Sequence, residues 1–95
     1  MALTGKQRHY LRGLAHHKNP VVIVGDAGLT ENVLAEIDQA LAHHELIKVK
    51  LRADRELREQ MIEAICERAS CEEVQKIGQI AVFYRAGEKA QIKIP

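Results

Sequence analysis

Apolar positions along this 95-residue chain recur with two alternating periods. Leu3, Gln7, Tyr10, Leu11 and Leu14 fall three or four apart, which predicts a helix from about Thr4 to His17. Thr4 and Gln7 have capping-box spacing. Gly13 weakens that helix and suggests close packing at its position. Asn19-Pro20 then stops it. Val21, Val22, Ile23 and Val24 follow as an unbroken β-branched run, the pattern of a strand covered on both faces. Thr30 is a good N-cap and Glu31 suits the first turn of a second helix, about Glu31 to His43, with Val33, Leu34, Ile37, Ala40 and Leu41 inward.

The period then returns to two. In Glu45–Arg52, Ile47, Val49 and Leu51 alternate with Lys48, Lys50 and Arg52, so one strand face meets a core and the other is solvated and basic. A third helix runs from about Asp54 to Ala69, with Leu57, Met61, Ala64 and Ile65 as its stripe and Ile62 and Ala69 beside it. Glu73–Ile77 and Gln79–Arg85, hinged at Gly78, are two further strands, with Phe83 or Tyr84 turned inward. Ala86–Lys89 is a turn, and Gln91–Ile94 could add a short edge strand. The order αβαβαββ predicts one α/β domain over residues 1–95, with two layers, three helices and a four-stranded mixed sheet. Its helices lie mainly on one side, and part of the other side is open.

Composition narrows the function classes. No apolar run approaches the roughly 18 residues of a membrane span, and MALTGKQRHYLRG lacks the apolar core of a secretory leader. Cys66 and Cys71 do not make a disulfide framework, which fits a reduced, cytoplasmic setting. The net charge is +1, but it is segregated. Residues 1–25 carry +4 with no acid, residues 26–74 carry −6, and residues 75–95 carry +3. Segregation of this kind is either chance clustering of solvated charges or a basic surface built from the two chain ends, the footprint of a polyanion partner.

The candidate chemistry sits in PVVIVGDAGLTE. A strand leads into Gly25-Asp26-Ala27-Gly28, and an N-capped helix follows. Such a loop presents amides beside a helix N-terminus, a natural place for a phosphate, and RNA-binding KH modules clamp backbone nucleotides with a GXXG loop. Asp26 opposes a phosphate, so recognition there leans on amides and nearby cations. Arg8, Arg12 and His16 stand four apart on the side of the first helix opposite its apolar face, with His9 beside them. Like charges at that spacing repel unless an anion meets them. Lys6 and Lys18 flank this stripe. Lys48, Lys50 and Arg52 are either protection of a sheet edge or a binding surface. The acids Glu56, Glu59, Glu63 and Glu67 on the third helix should face away from any nucleic acid. Cys66 and Cys71 lack the matching pair a zinc site needs. The Gly-rich loop lacks a following Gly-Lys-Ser/Thr, and no nucleophile–base set is visible. Neither a metal, nor a cofactor, nor an enzyme activity is expected.

Several segments together resemble the bacterial stand-alone CRM-domain proteins, the YhbY family. They are the basic opening Lys6-Gln7-Arg8, the VGDAGLTE segment, His44-Glu45-Leu46-Ile47-Lys48-Val49, and Val82-Phe83-Tyr84-Arg85. The resemblance covers nearly the whole chain. It implies a fold similar to the C-terminal domain of translation initiation factor 3 and a non-catalytic RNA-binding role in assembly of the large ribosomal subunit. The same domain, repeated in plant organelle proteins, assists group II intron splicing. The resemblance also implies RNA contact through Gly25, Asp26, Ala27 and Gly28 and neighbouring cations. Many relatives carry Lys or Asn inside the loop, where this chain has Asp26-Ala27. The expected partner is rRNA in a pre-50S particle, bound by a monomer without a membrane. The expected contacts are Lys6, Arg8, Arg12, His16 and Lys18, extended by Lys48, Lys50, Arg52 and Arg85 if the open sheet face adjoins the loop. With Tyr10, Phe83 and Tyr84 as the aromatics, base stacking is limited, which favours structured RNA read through backbone and shape. The alternative is a protein-interaction module that docks on a ribosomal protein through the open sheet.

Overall fold

A computed structural model describes residues 3–95; Met1 and Ala2, the opening of the segment lacking a leader core, lie outside the described residues. The elements are α1 (Gly5–Ala15), β1 (Pro20–Val24), α2 (Glu31–His44), β2 (Leu46–Leu51), α3 (Arg55–Arg68), β3 (Glu72–Ile77) and β4 (Ile80–Tyr84). This is the expected αβαβαββ order, with three helices and four strands. Local chemistry sets the helix starts. Thr4 and Gln7 form a reciprocal capping box, Thr30 Oγ1 accepts from Val33 N–H, and Asp54 Oδ1 accepts from Leu57 N–H.

The sheet order is β1-β2-β4-β3, with β1 parallel to β2 and the remaining pairs antiparallel. Period-2 side-chain alternation sorts each strand between two cores. On one face α2 and α3 pack Ile37, Leu41, Met61, Ile62 and Ile65 against Val22, Val24, Ile47, Val49, Leu51, Ala81 and Phe83. On the other, α1 and the C-terminal segment pack Leu3, Leu11, Ala15, Ile92 and Ile94 against Leu46, Val74, Val82 and Tyr84. Phe83 and Tyr84 are therefore both buried, one in each core. β2 lies inside the sheet, so its lysines are not protecting an edge.

Several local expectations are corrected. β1 is an edge strand with one open face: Val22 and Val24 are buried, while Val21 and Ile23 are 50% and 58% exposed. α1 buries Leu11 and Ala15 and holds Arg8 half-buried, while Tyr10 and Leu14 turn outward. In α3 it is Ile62 that is buried, not Leu57. A Cβ on Gly13 would meet nothing within 4 Å, so no close packing explains that glycine.

Gln91–Ile94 forms no strand. It is held by a carboxylate. Glu45, buried at the end of α2 with φ 61°, accepts from the amides of Gly87 (2.7 Å), Gln91 (3.0 Å) and Ile92 (2.8 Å). Burial raises the cost of its charge, yet the three amides outweigh that and hold its pKa below the usual carboxylate value. A non-glycine residue at positive φ costs of order 1 kcal/mol, and the clamp holds it there. A Cβ on Gly87 would lie 2.8 Å from Glu45 Oε2, so a larger residue there would push the carboxylate off its amides.

Candidate functional site

The open part of the sheet follows from strand direction. α1 and the C-terminal segment cover the end that carries Leu46 and Tyr84. β1 and β2 run in parallel away from that end, and β1 leads into Gly25. Pairing Ile23 with Lys50, Lys50 with Ile80, and Ile80 with Ile77 makes one row across all four strands on the uncovered face. Lys48 pairs with Val82, and Val82 with Gln75, in the next row. Arg52 lies just past β2, and its N–H donates to Val24 C=O at 3.0 Å, which anchors it beside the start of the loop. At about 3.3 Å per residue, Lys48, Lys50 and Arg52 make a cationic file roughly 13 Å long that runs toward the glycine loop.

The loop is a compact turn. Gly28 N–H donates to Gly25 C=O at 3.0 Å, and Thr30 N–H donates to Gly28 C=O at 3.0 Å. Gly28 takes φ +76°, which favours glycine. Asp26 and Ala27 are exposed at the tip, and nothing lies within 4 Å of a Cβ placed on Gly25 or Gly28, so a ligand backbone could come close. Thr30 caps α2 directly behind, which brings a helix N-terminus to the same spot.

At the other end of the cationic file, a groove of about 510 Å³ separates α1 from the open sheet. Arg12, Gly13 and His16 form its helical wall with His9 beside them, Lys48 and Gln75 line its sides, and Ile77, Ile80 and Val82 form its floor. Arg12 Nη2 lies 3.4 Å from His9 Nδ1. Lys48 Nζ donates to His16 C=O at 3.4 Å, near the electronegative end of α1. Among the described residues no carboxylate lines this groove.

The cations expected from sequence thus divide. Arg12, His16, Lys48, Lys50 and Arg52 share the open face and lead to Gly25–Gly28. Arg8 does not join them: its Nε donates to Glu73 C=O at 3.1 Å and its Nη1 to Leu3 C=O at 3.3 Å, so it ties α1 to β3. Arg85 is also spent on structure. It donates to Asp38 Oδ1 at 2.7 Å, Ala69 C=O at 2.8 Å and Asp38 C=O at 3.0 Å, joining α2 and the end of α3 to β4 on the opposite side of the sheet. Lys6 is exposed on the first turn of α1, away from the His16 end, and Lys18 is exposed just before β1. α3, whose Glu56, Glu59, Glu63 and Glu67 were expected to face away from a nucleic acid, packs on the face opposite the groove.

Gly13, Gln75, Ile77, Ile80 and Val82 were not expected at the site. The antiparallel β3–β4 pairing brings the last four there, and no local pattern announces it. Among the described residues, no three His, Cys, Asp or Glu side chains converge to hold a metal, and no helix is long and apolar enough to cross a membrane. Cys66 and Cys71 are free thiols.

Three comparisons bear on this geometry. The CRS1 / YhbY (CRM) domain model matches residues 3–85. A Haemophilus influenzae protein named "RNA-binding protein" is 55% identical over 94 residues, 98% of this chain and 95% of the relative. A Bacillus subtilis protein named a probable RNA-binding protein is 39% identical over 95 residues, 98% of this chain and 99% of the relative. The fold is similar to the solution structure of a Staphylococcus aureus protein, with a TM-score of 0.85 and 38% identity, over 99% of this chain and all of that one.

Proposed function

The chain belongs to the CRS1/YhbY (CRM) domain family, and on that premise we propose that it is a non-catalytic RNA-binding protein. Its target is structured rRNA in the pre-50S particle, and its role is to assist large-subunit assembly in the cytoplasm. The names of the relatives support RNA as the ligand, and the family resemblance supports the ribosomal target. Backbone phosphates follow Arg12, His16, Lys48, Lys50 and Arg52 to the amides of Gly25–Gly28. The observation that carries this reading is the Arg52 N–H to Val24 C=O bond, because it joins the file of β2 cations to the glycine loop as one surface.

The test is a double substitution, Lys50→Ala with Arg52→Ala, assayed on rRNA fragments over a salt series. Each phosphate contact contributes about 0.7–0.9 to the log–log salt slope. The double variant is expected to bind more weakly, with a slope smaller by about 1.4–1.8, while its thermal midpoint stays within a few degrees. Unchanged affinity and slope would reject the surface. A second reading has its own support. Val21 and Ile23 are exposed apolar residues along the edge strand β1, and such an apolar strip suits a ribosomal protein as partner.

A further inference from the structure

We propose that the groove between α1 and the open sheet receives one unpaired nucleotide extruded from an otherwise paired RNA. This rests on the RNA-binding reading and deepens it, because it assigns the apolar floor of the groove a role beside the phosphate path. At about 510 Å³ the groove falls within the roughly 300–1,000 Å³ of small-ligand sites. Its floor is aliphatic, formed by Ile77, Ile80 and Val82, and suits the flat face of a base. Gln75 supplies an amide that can both donate and accept, which is what the hydrogen-bonding edge of a base requires. Arg12 and Lys48 stand at the rim as cations for the attached phosphates, and no carboxylate among the described residues lines the groove to oppose them.

The site fits one nucleotide rather than a strand. Successive bases are bound on successive aromatic faces. Here Phe83 and Tyr84 are buried and Tyr10 does not line the groove, so among the described residues the rings that reach it are the imidazoles of His9 and His16, with no Phe, Tyr or Trp platform for successive bases. Gly13 gives the groove its width. Among the described residues it has no close neighbour for a Cβ to meet, so the missing side chain leaves open space and not a packed contact.

The experiment compares two RNA hairpins of equal length, one fully paired and one with a single bulged 2-aminopurine. The bulged hairpin is expected to bind about tenfold tighter, and its fluorescence to change on binding. In Gly13→Leu the added side chain enters the groove, and the preference is expected to shrink to within twofold, with the thermal midpoint no lower than the parent's. Equal affinities with unresponsive fluorescence would overturn the nucleotide site and leave the RNA-binding reading standing. Failure of both hairpins to bind would overturn both. Full preference retained in Gly13→Leu would also overturn the site. So would methyl NMR shifts at Ile77, Ile80 and Val82 that respond to polyglutamate and not to the bulged hairpin, which would instead assign the groove to an acidic peptide.

Discussion

Arg8 and Arg12 are the same residue type four positions apart, yet the fold uses them differently. Arg8 satisfies two backbone carbonyls at the α1–β3 seam, while Arg12 borders the open groove. Removing a charged donor from partly buried carbonyls costs about 1–3 kcal/mol. Arg8→Ala should therefore lower the thermal midpoint by roughly 4 °C or more and change RNA affinity less than twofold, as read by thermal melts and filter binding. A large affinity loss with an unchanged melt would place Arg8 on the ligand instead. Glu45 gives a second case. Its carboxyl pKa is lower folded than unfolded, because three amides outweigh burial. The resulting stability is present above the unfolded carboxylate value of about 4.3 and is lost as pH falls through the lower folded value. Glu45→Gln should lower stability at neutral pH by about 1–3 kcal/mol and flatten the acid limb of a stability–pH curve. A parent and variant with parallel acid limbs would show that the clamp is not ionised. The sequence gives no warning of this clamp. The partners are backbone amides 42 to 47 residues away, which leave no complementary side chain to find.

Elements were legible where one period dominated. β2 alternates from Ile47 to Leu51, with Ile47, Val49 and Leu51 buried as expected, while the lysine face is half-buried and begins at Leu46 in the second core. β1 misleads for a physical reason. An apolar run without alternation normally means two covered faces, but β1 is an edge strand, and α1 packs over β3 and β2, which leaves Val21 and Ile23 uncovered. α1 misleads because a face of only Leu11 and Ala15 is too narrow to outvote Tyr10 and Leu14 in a pattern count. The glycine loop was legible as strand, turn and capped helix, and the structure supplies its closure through Gly28. Asp26 at the exposed tip remains at odds with phosphate. If the loop meets the RNA backbone, Asp26→Lys removes a repulsion and adds a counterion-releasing contact. Affinity at low salt should rise several-fold, and the log–log salt slope should steepen by about 0.7–0.9. No change in slope would mean that the loop tip stays off the phosphates.

At the scale of the whole molecule, the sheet separates charge. α2, with three acids and no Lys or Arg, packs with α3 on one face, and Lys48, Lys50, Arg12 and His16 gather on the other, although the net charge is only +1. Val21 and Ile23 are exposed on the edge strand β1, beside the cations of β2, so phosphate contact and apolar contact would use adjoining surfaces. Their energetics differ in a measurable way. Phosphate contacts weaken steeply with salt through counterion release, while burial of aliphatic area is insensitive to screening or is strengthened by excluded salts such as sulfate. If the tagged protein rides on pre-50S particles through RNA, nuclease digestion should release it. Raising salt from 50 to 200 mM should release it as well, and Lys50→Ala with Arg52→Ala should shift the release to lower salt. If it rides on a ribosomal protein through the apolar strip, it should remain with that protein after digestion and through the salt step, and Ile23→Asp should be the change that frees it. Retention after complete digestion would move the function from the cationic file to the strip beside it.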